Sequence, residues 1–105
     1  MNFQLKITGI ELNDKSRNYL EEKMNMLDKF LGSEHIYSCN VEVGVQSHHH
    51  NKGEIFFTKV NLELKGEFIR VEKVEADLLK SIDKVKDHLA ESIIKYKDKK
   101  REKKI

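Results

Sequence analysis

The chain has 105 residues and a mass of 12.4 kDa, room for one domain around one core, since a second domain would need roughly another hundred residues. Hydrophobic residues make up 38% and charged residues 36%, the latter above the ~25% of an average soluble domain, so a small core sits under a densely charged surface. With a single cysteine, Cys39, and no apolar run longer than three residues (Ile55-Phe56-Phe57), against the ~20 of a membrane span or the ~7–15 of a secretory signal core, the sequence predicts a cytoplasmic protein without membrane insertion, secretion or disulfides. Phe3, Leu5 and Ile7 alternate with Gln4, Lys6 and Thr8, the period of a strand with one buried face. Asn13 or Asp14 can then cap a helix whose apolar stripe is Leu20, Met24, Leu27 and Leu31, closed by Gly32. A second stripe, Tyr19, Lys23, Met26 and Phe30, widens that face and puts the Lys23 ammonium at its border.

Residues 36–47 read as a long strand, with Cys39, Val41, Val43 and Val45 on its buried side. After the polar stretch 48–53 the alternation resumes in Phe56, Thr58, Val60, Leu62 and Leu64, which makes a hairpin, and Lys65-Gly66 turns the chain again. A third consecutive strand, 67–74, places Ile69 and Val71 inward and sends Arg70 outward. From Asp77 to about residue 100, Leu78, Ile82, Val85, Leu89, Ile93 and Tyr96 fall within a narrow wedge at about 100° per residue, the strongest helical signal in the chain. The order β-α-β-β-β-α predicts an α+β two-layer sandwich, two helices on one face of a four-stranded, mostly antiparallel sheet.

Little here suggests catalysis. His48-His49-His50 is a compositional oddity, and His48 and His50 could point the same way. A zinc site, however, needs three or four ligands in enforced geometry, and no Cys or carboxylate stands at a recognised spacing from them. Solvated hairpin-tip imidazoles, able to make a weak, pH-dependent phosphate contact, are the plainer reading. Cys39, in phase with Val41 and Val43, reads as a small buried hydrophobe. The serines lie in no nucleophile-elbow sequence, the glycines never cluster into a phosphate-cradling loop, and Asp83, Asp87 and Glu91 form a solvated helical stripe. No enzyme activity, cofactor, metal or small-molecule substrate is expected.

What remains is cationic. Residues 95–105 hold seven Lys/Arg against two Asp/Glu, whereas residues 1–94 hold thirteen against sixteen, so the C-terminus is a basic extension suited to a polyanion. On the last helix Lys80, Lys84, His88 and Lys95 form a stripe opposite Ile82 and Leu89, running into Lys97, Lys99, Lys100, Arg101, Lys103 and Lys104. Arg17, Lys23 and Lys29 on the first helix would join them in one positive band if the helices lie side by side, an arrangement fitted to phosphates along RNA. Ordinary charged helix surfaces with interleaved acids are the alternative.

In order and spacing the chain resembles the ribosome hibernation-promoting factors, also called ribosome-associated inhibitors or sigma-54 modulation proteins. The likeness covers about residues 1–100. It rests on Ile7-Thr8-Gly9-Ile10-Glu11-Leu12-Asn13-Asp14, Tyr19-Leu20-Glu21-Glu22-Lys23, Leu27-Asp28-Lys29-Phe30, Val41-Glu42-Val43-Gly44 and Gly53-Glu54-Ile55-Phe56. Its most specific part is Phe68-Ile69-Arg70-Val71-Glu72 followed by Asp77-Leu78-Leu79-Lys80-Ser81-Ile82-Asp83 and Lys95-Tyr96-Lys97-Asp98-Lys99. The resemblance implies a domain over residues 1–96, with 97–105 a basic extension of the last helix, that binds ribosomal RNA of the small subunit. It would fill the A- and P-site cleft, exclude messenger and transfer RNA, and store ribosomes inactive. A module for another structured RNA is the alternative. The implied RNA-binding residues are Arg17, Lys23, Lys29, Arg70 and Lys95 through Lys99, to which Lys80, Lys84, Lys100 and Arg101 are added from the stripe.

Two departures stand out: His88-Leu89-Ala90-Glu91-Ser92 puts an acid where the family tends to carry arginine, and Leu79 replaces a tyrosine. The sequence stops at Ile105, so the second, dimerising domain of long family members is expected to be absent, and ribosome pairing through it with it; the sequence leaves open whether a separate factor pairs ribosomes. Removing residues 97–105, beyond the last core residue Tyr96, is expected to spare folding and to lower the salt slope of log affinity by about three to four.

Overall fold

The structure, a computed structural model, describes residues 1–49 and 53–102, the side chains of residues 47–49 excepted. Its elements are β1 (Gln4–Thr8), α1 (Asp14–Asn25), α2 (Asp28–Leu31), β2 (Ile36–His49), β3 (Gly53–Leu64), β4 (Glu67–Glu75) and α3 (Leu78–Glu102). The strands form one four-stranded sheet in the order β1-β2-β3-β4, with β1 parallel to β2 and the other pairs antiparallel. The α+β sandwich expected from the sequence is the fold that forms, and no helix among the described residues is long and apolar enough to cross a membrane.

Alternation decides what each strand buries. Val41 and Val43, Val60, Leu62 and Leu64, and Ile69 and Val71 all face the helices, joined by Ile82, Val85, Leu89 and Ile93 of α3 and by Leu20, Met24, Leu27 and Leu31 below α1 and α2. At roughly 1.5–3 kcal/mol for each fully buried aliphatic side chain, this shared core is the main source of stability. One polar pair enters it: the hydroxyls of Thr58 and Ser81 lie 2.7 Å apart, and Ser81 also donates to Leu78 O at 2.7 Å, so neither buried oxygen is left unsatisfied.

The first helical region departs from the single helix expected through residue 31. Asn13 caps α1, its side chain accepting from Ser16 N at 2.8 Å. At the far end Leu27 N turns back onto Met24 O at 3.1 Å, a tight turn that separates α1 from α2. The terminal ammonium of Met1 donates to Asn25 Oδ1 at 2.9 Å and to Asp28 Oδ2 at 3.2 Å, bracketing that break. Leu27 and Leu31 nevertheless stay buried, so the apolar spacing survives the interruption.

Two glycines are required where they stand. Gly66, with φ +75°, makes the tight turn between β3 and β4. A Cβ on Gly44 would collide with the carbonyl oxygen of Thr8, so its absence lets β1 lie in register beside β2.

Candidate nucleic-acid interface

α3 lies between α1 on one side and β4 on the other, and its two flanks meet different neighbours. Asp83, Ala90 and Lys97, at seven-residue spacing, lie toward α1 and α2: Tyr19 donates to Asp83 Oδ2 at 2.6 Å, and Lys97 Nζ donates to Phe30 O at 3.0 Å. Lys84, Lys95 and Lys99 occupy the opposite flank, toward β4. The outward ridge between them carries the exposed acids Asp87, Glu91 and Asp98. The expected single positive band is therefore not what forms. Helical spacing identifies the stripe opposite the core, but only the packing of α3 between α1 and β4 decides which neighbour each cation meets.

Several sequence-predicted cations have carboxylate partners within the molecule, Lys23 in a sheltered site and Lys80, Lys84 and Arg101 at the surface. Lys23, its side chain only 18% exposed, lies 3.3 Å from Asp83 Oδ1 and 5.0 Å from the centre of the Tyr19 ring. The Lys23 contact lacks hydrogen-bond alignment, so Asp83 Oδ1 has charge pairing without a donor. The hydrogen bond to Asp83 pushes the Tyr19 hydroxyl pKa up to about 12. Lys84 and Lys80 lie 2.9 and 3.8 Å from Glu75, and the Lys84 hydrogen bond holds that carboxyl below its usual range. Lys100 donates to both Glu34 oxygens at 2.8 Å, which raises its own pKa, and Arg101 pairs with Asp98 at 2.8 Å. Residues 97–102 continue α3, and Lys97 and Lys100 fasten it to the segment after α1, so this stretch is not a free arm.

Arg17, Lys29, Arg70, Lys95 and Lys99 are different: among the described residues none has a carboxylate within ion-pair distance. Arg17 lines a depression with Glu21 and Asn25 near the N-terminus, and Lys29 is exposed beside the Phe30 ring. Arg70, Lys95 and Lys99 line one groove along the outer edge of β4 and α3, with Glu67, Phe68 and Ser92 also in its walls; Arg70 and Phe68 project from the open face of the sheet, Lys95 and Lys99 from the helical layer. Arg70 Nε donates to Asn61 Oδ1 at 2.7 Å, which fixes the guanidinium and leaves its outer nitrogens directed away from that bond. Phe68 is 70% exposed, an aromatic among cations that the outward phase of Arg70 already implied. The side chains of His48, His49 and His50, and Lys103 and Lys104, lie outside the described residues.

Sequence reasoning missed the open face of the sheet. Lys6, Glu42, Lys59 and Glu72 face one another across the four strands, alternating in sign. Glu42 accepts from the Thr8 hydroxyl at 2.6 Å and lies 3.4 Å from Lys59, contacts that keep its carboxyl below the usual range. Burial pushes the Cys39 thiol up to about 11, in keeping with a hydrophobic role.

Similarity to known proteins follows this architecture. A ribosome hibernation promotion factor of Lactococcus lactis subsp. cremoris is 30% identical over 95 residues, covering 90% of this chain and 49% of that protein. Its counterpart in Deinococcus radiodurans gives 30% over 95 residues, 90% and 48%, so the chain spans about half the length of these relatives. The crystal structure of the Thermus thermophilus Protein Y N-terminal domain superposes with a TM-score of 0.70 at 26% identity, covering 91% of this chain and 99% of that one. A ribosomal subunit interface protein from Coxiella burnetii shares the fold, with a TM-score of 0.74 at 20% identity over 93% of this chain and 99% of the other. Residues 3–101 match the sequence model described as sigma 54 modulation protein / S30EA ribosomal protein, and the chain belongs to that family.

Proposed function

We propose that this chain is a cytoplasmic ribosome-binding factor that silences translation by occlusion and not by catalysis, storing ribosomes in a hibernating state. It docks through the β4–α3 groove onto ribosomal RNA in the A- and P-site cleft of the small subunit. The observation that carries this reading is that Arg70, Lys95 and Lys99 line one groove along the sheet edge with no carboxylate in ion-pair range of any of them among the described residues. Phosphate neutralisation there costs no internal ion pair, and Phe68 offers a surface for an unstacked base. Family membership and the names of the relatives support the ribosome as the target. Arg17 and Lys29 add a second contact region, while Lys23, Lys80, Lys84, Lys97, Lys100 and Arg101 contribute mainly to the fold and to the long-range field.

Residues 1–96 supply the docking domain and 97–105 its basic extension. Co-sedimentation with small subunits at low salt tests the reading: saturable binding that displaces messenger RNA is expected, and absence of binding removes it. A structured-RNA module of another kind would instead be competed equally by ribosomes and generic duplex RNA.

A further inference from the structure

The sheet ends at β4, and among the described residues no backbone donor or acceptor of residues 67–75 bonds to main chain outside the sheet. An edge of this kind is a template for another strand, and proteins usually blunt it with prolines, bulges, charged side chains or a cover. The chain has no proline, and the β3–β4 register runs without a shift. On the open face of β4, Phe68 and Val74 are 70% and 40% exposed, and Arg70 and Glu72, also exposed, stand between them.

These four residues are self-complementary. An antiparallel copy related by a two-fold axis at Val71 sets Arg70 opposite Glu72 and Phe68 opposite Val74, each contact occurring twice, as an isologous interface requires; on the helix-facing side the same axis brings Glu67 toward Glu75, whose charge Lys80 and Lys84 already offset. Moving the axis by one residue, to Arg70 or to Glu72, sets that residue against its own copy on the open face and loses both Arg70–Glu72 contacts. The interior of the sheet points the same way. The row Lys6, Glu42, Lys59, Glu72 alternates in sign across every strand and stops at the edge on an acid, and the row Gln4, Asn40, Asn61, Arg70 stops on a cation. A second copy placed about Val71 joins the two rows end to end.

We propose that β4 pairs antiparallel with β4 of a second copy of this chain, about a two-fold axis at Val71, to form a continuous eight-stranded sheet. Lys73, on the helix-facing side of β4, and the lysines on the α3 flank oppose close approach, which makes the association weak and reversible. The proposal concerns the free protein and its test contains no RNA; because the pairing covers Phe68 and Arg70 of the proposed RNA groove, dimer and ribosome complex exclude one another.

Sedimentation velocity across about 5 μM to about 1 mM protein, at two salt concentrations, reads the association by mass action. The native chain is expected to shift from monomer toward dimer over this range. Arg70→Glu and Glu72→Arg alone are each expected to weaken dimerisation at least tenfold, and the double variant, which exchanges the charges, to restore it. Circular dichroism confirms that each variant is folded. As a second measurement not dependent on charge, Phe68→Cys mixed with Val74→Cys under mild oxidation is expected to form the mixed disulfide faster than either variant links to itself. A native chain that stays monomeric throughout overturns the proposal. So does a dimer indifferent to both single substitutions, a folded double variant that remains monomeric, or self-linking that outpaces mixed linking.

Discussion

On the flank of α3 that faces α1 and α2, Lys23 is held against Asp83 and the Tyr19 ring, and Lys97 is bonded to the Phe30 carbonyl. On the other flank of the same helix, Arg70, Lys95 and Lys99 line the β4 groove without a carboxylate in ion-pair range among the described residues. The residue types are the same, yet their energetics differ. A cation already paired must give up its partner before it meets a phosphate, so its net gain on binding is small. An unpaired one releases counterions with no such loss. The number of lysines on a helix therefore says less about recognition than which flank they occupy.

Reversing the groove charges breaks this contrast most strongly. Arg70→Glu with Lys95→Glu and Lys99→Glu should weaken ribosome binding by roughly a hundredfold or more at ~0.1 M salt and lower the salt slope of log affinity by about two to three, with the fold retained. Filter binding across a salt series, with thermal melting as control, checks both. Asp83→Ala should do the converse. It strands the Tyr19 hydroxyl and the Lys23 ammonium and should cost about 2 kcal/mol in urea unfolding while leaving ribosome affinity nearly unchanged.

Ending the chain after Tyr96 tests both regions at once. The sequence suggested that folding would be spared, but the truncation removes the Lys97–Phe30 and Lys100–Glu34 contacts. A loss of stability smaller than that of Asp83→Ala is therefore expected, and with only Lys99 lost from the groove the salt slope should fall by about one, far less than the basic count implies. The smallest effect concerns pH. Folding raises the Tyr19 pKa from 10.0 to about 12, so its stabilising contribution is complete below pH 10 and is lost as pH rises toward 12. Tyr19→Phe should remove that part of the alkaline loss, seen as a shallower decline of unfolding free energy with pH over this interval.

Much of this architecture was legible in the sequence. Alternation placed Val41, Val60, Leu62, Ile69 and Val71 on the core face, and the wedge from Ile82 to Tyr96 defined α3, as observed. The break at Met26 and Leu27 was not legible. Its buried leucines keep a helical spacing, and the interruption is bracketed by bonds from the distant N-terminus. The groove was half legible: Arg70 was sent outward correctly, but Lys95 and Lys99 were grouped with α1 cations from which α3 separates them.

The division has a physical basis. Periods of 2 and about 3.6 residues are local properties of the backbone, so one chain by itself determined which faces are buried, and with them the two layers of the fold. Which lysine finds a carboxylate, and which strand is left at the edge with Phe68 and Val74 uncovered, depends on what packs beside α3 and where the sheet stops. Those are contacts between residues far apart in the chain, such as Lys23 with Asp83 and Lys100 with Glu34, and only the tertiary structure decided them.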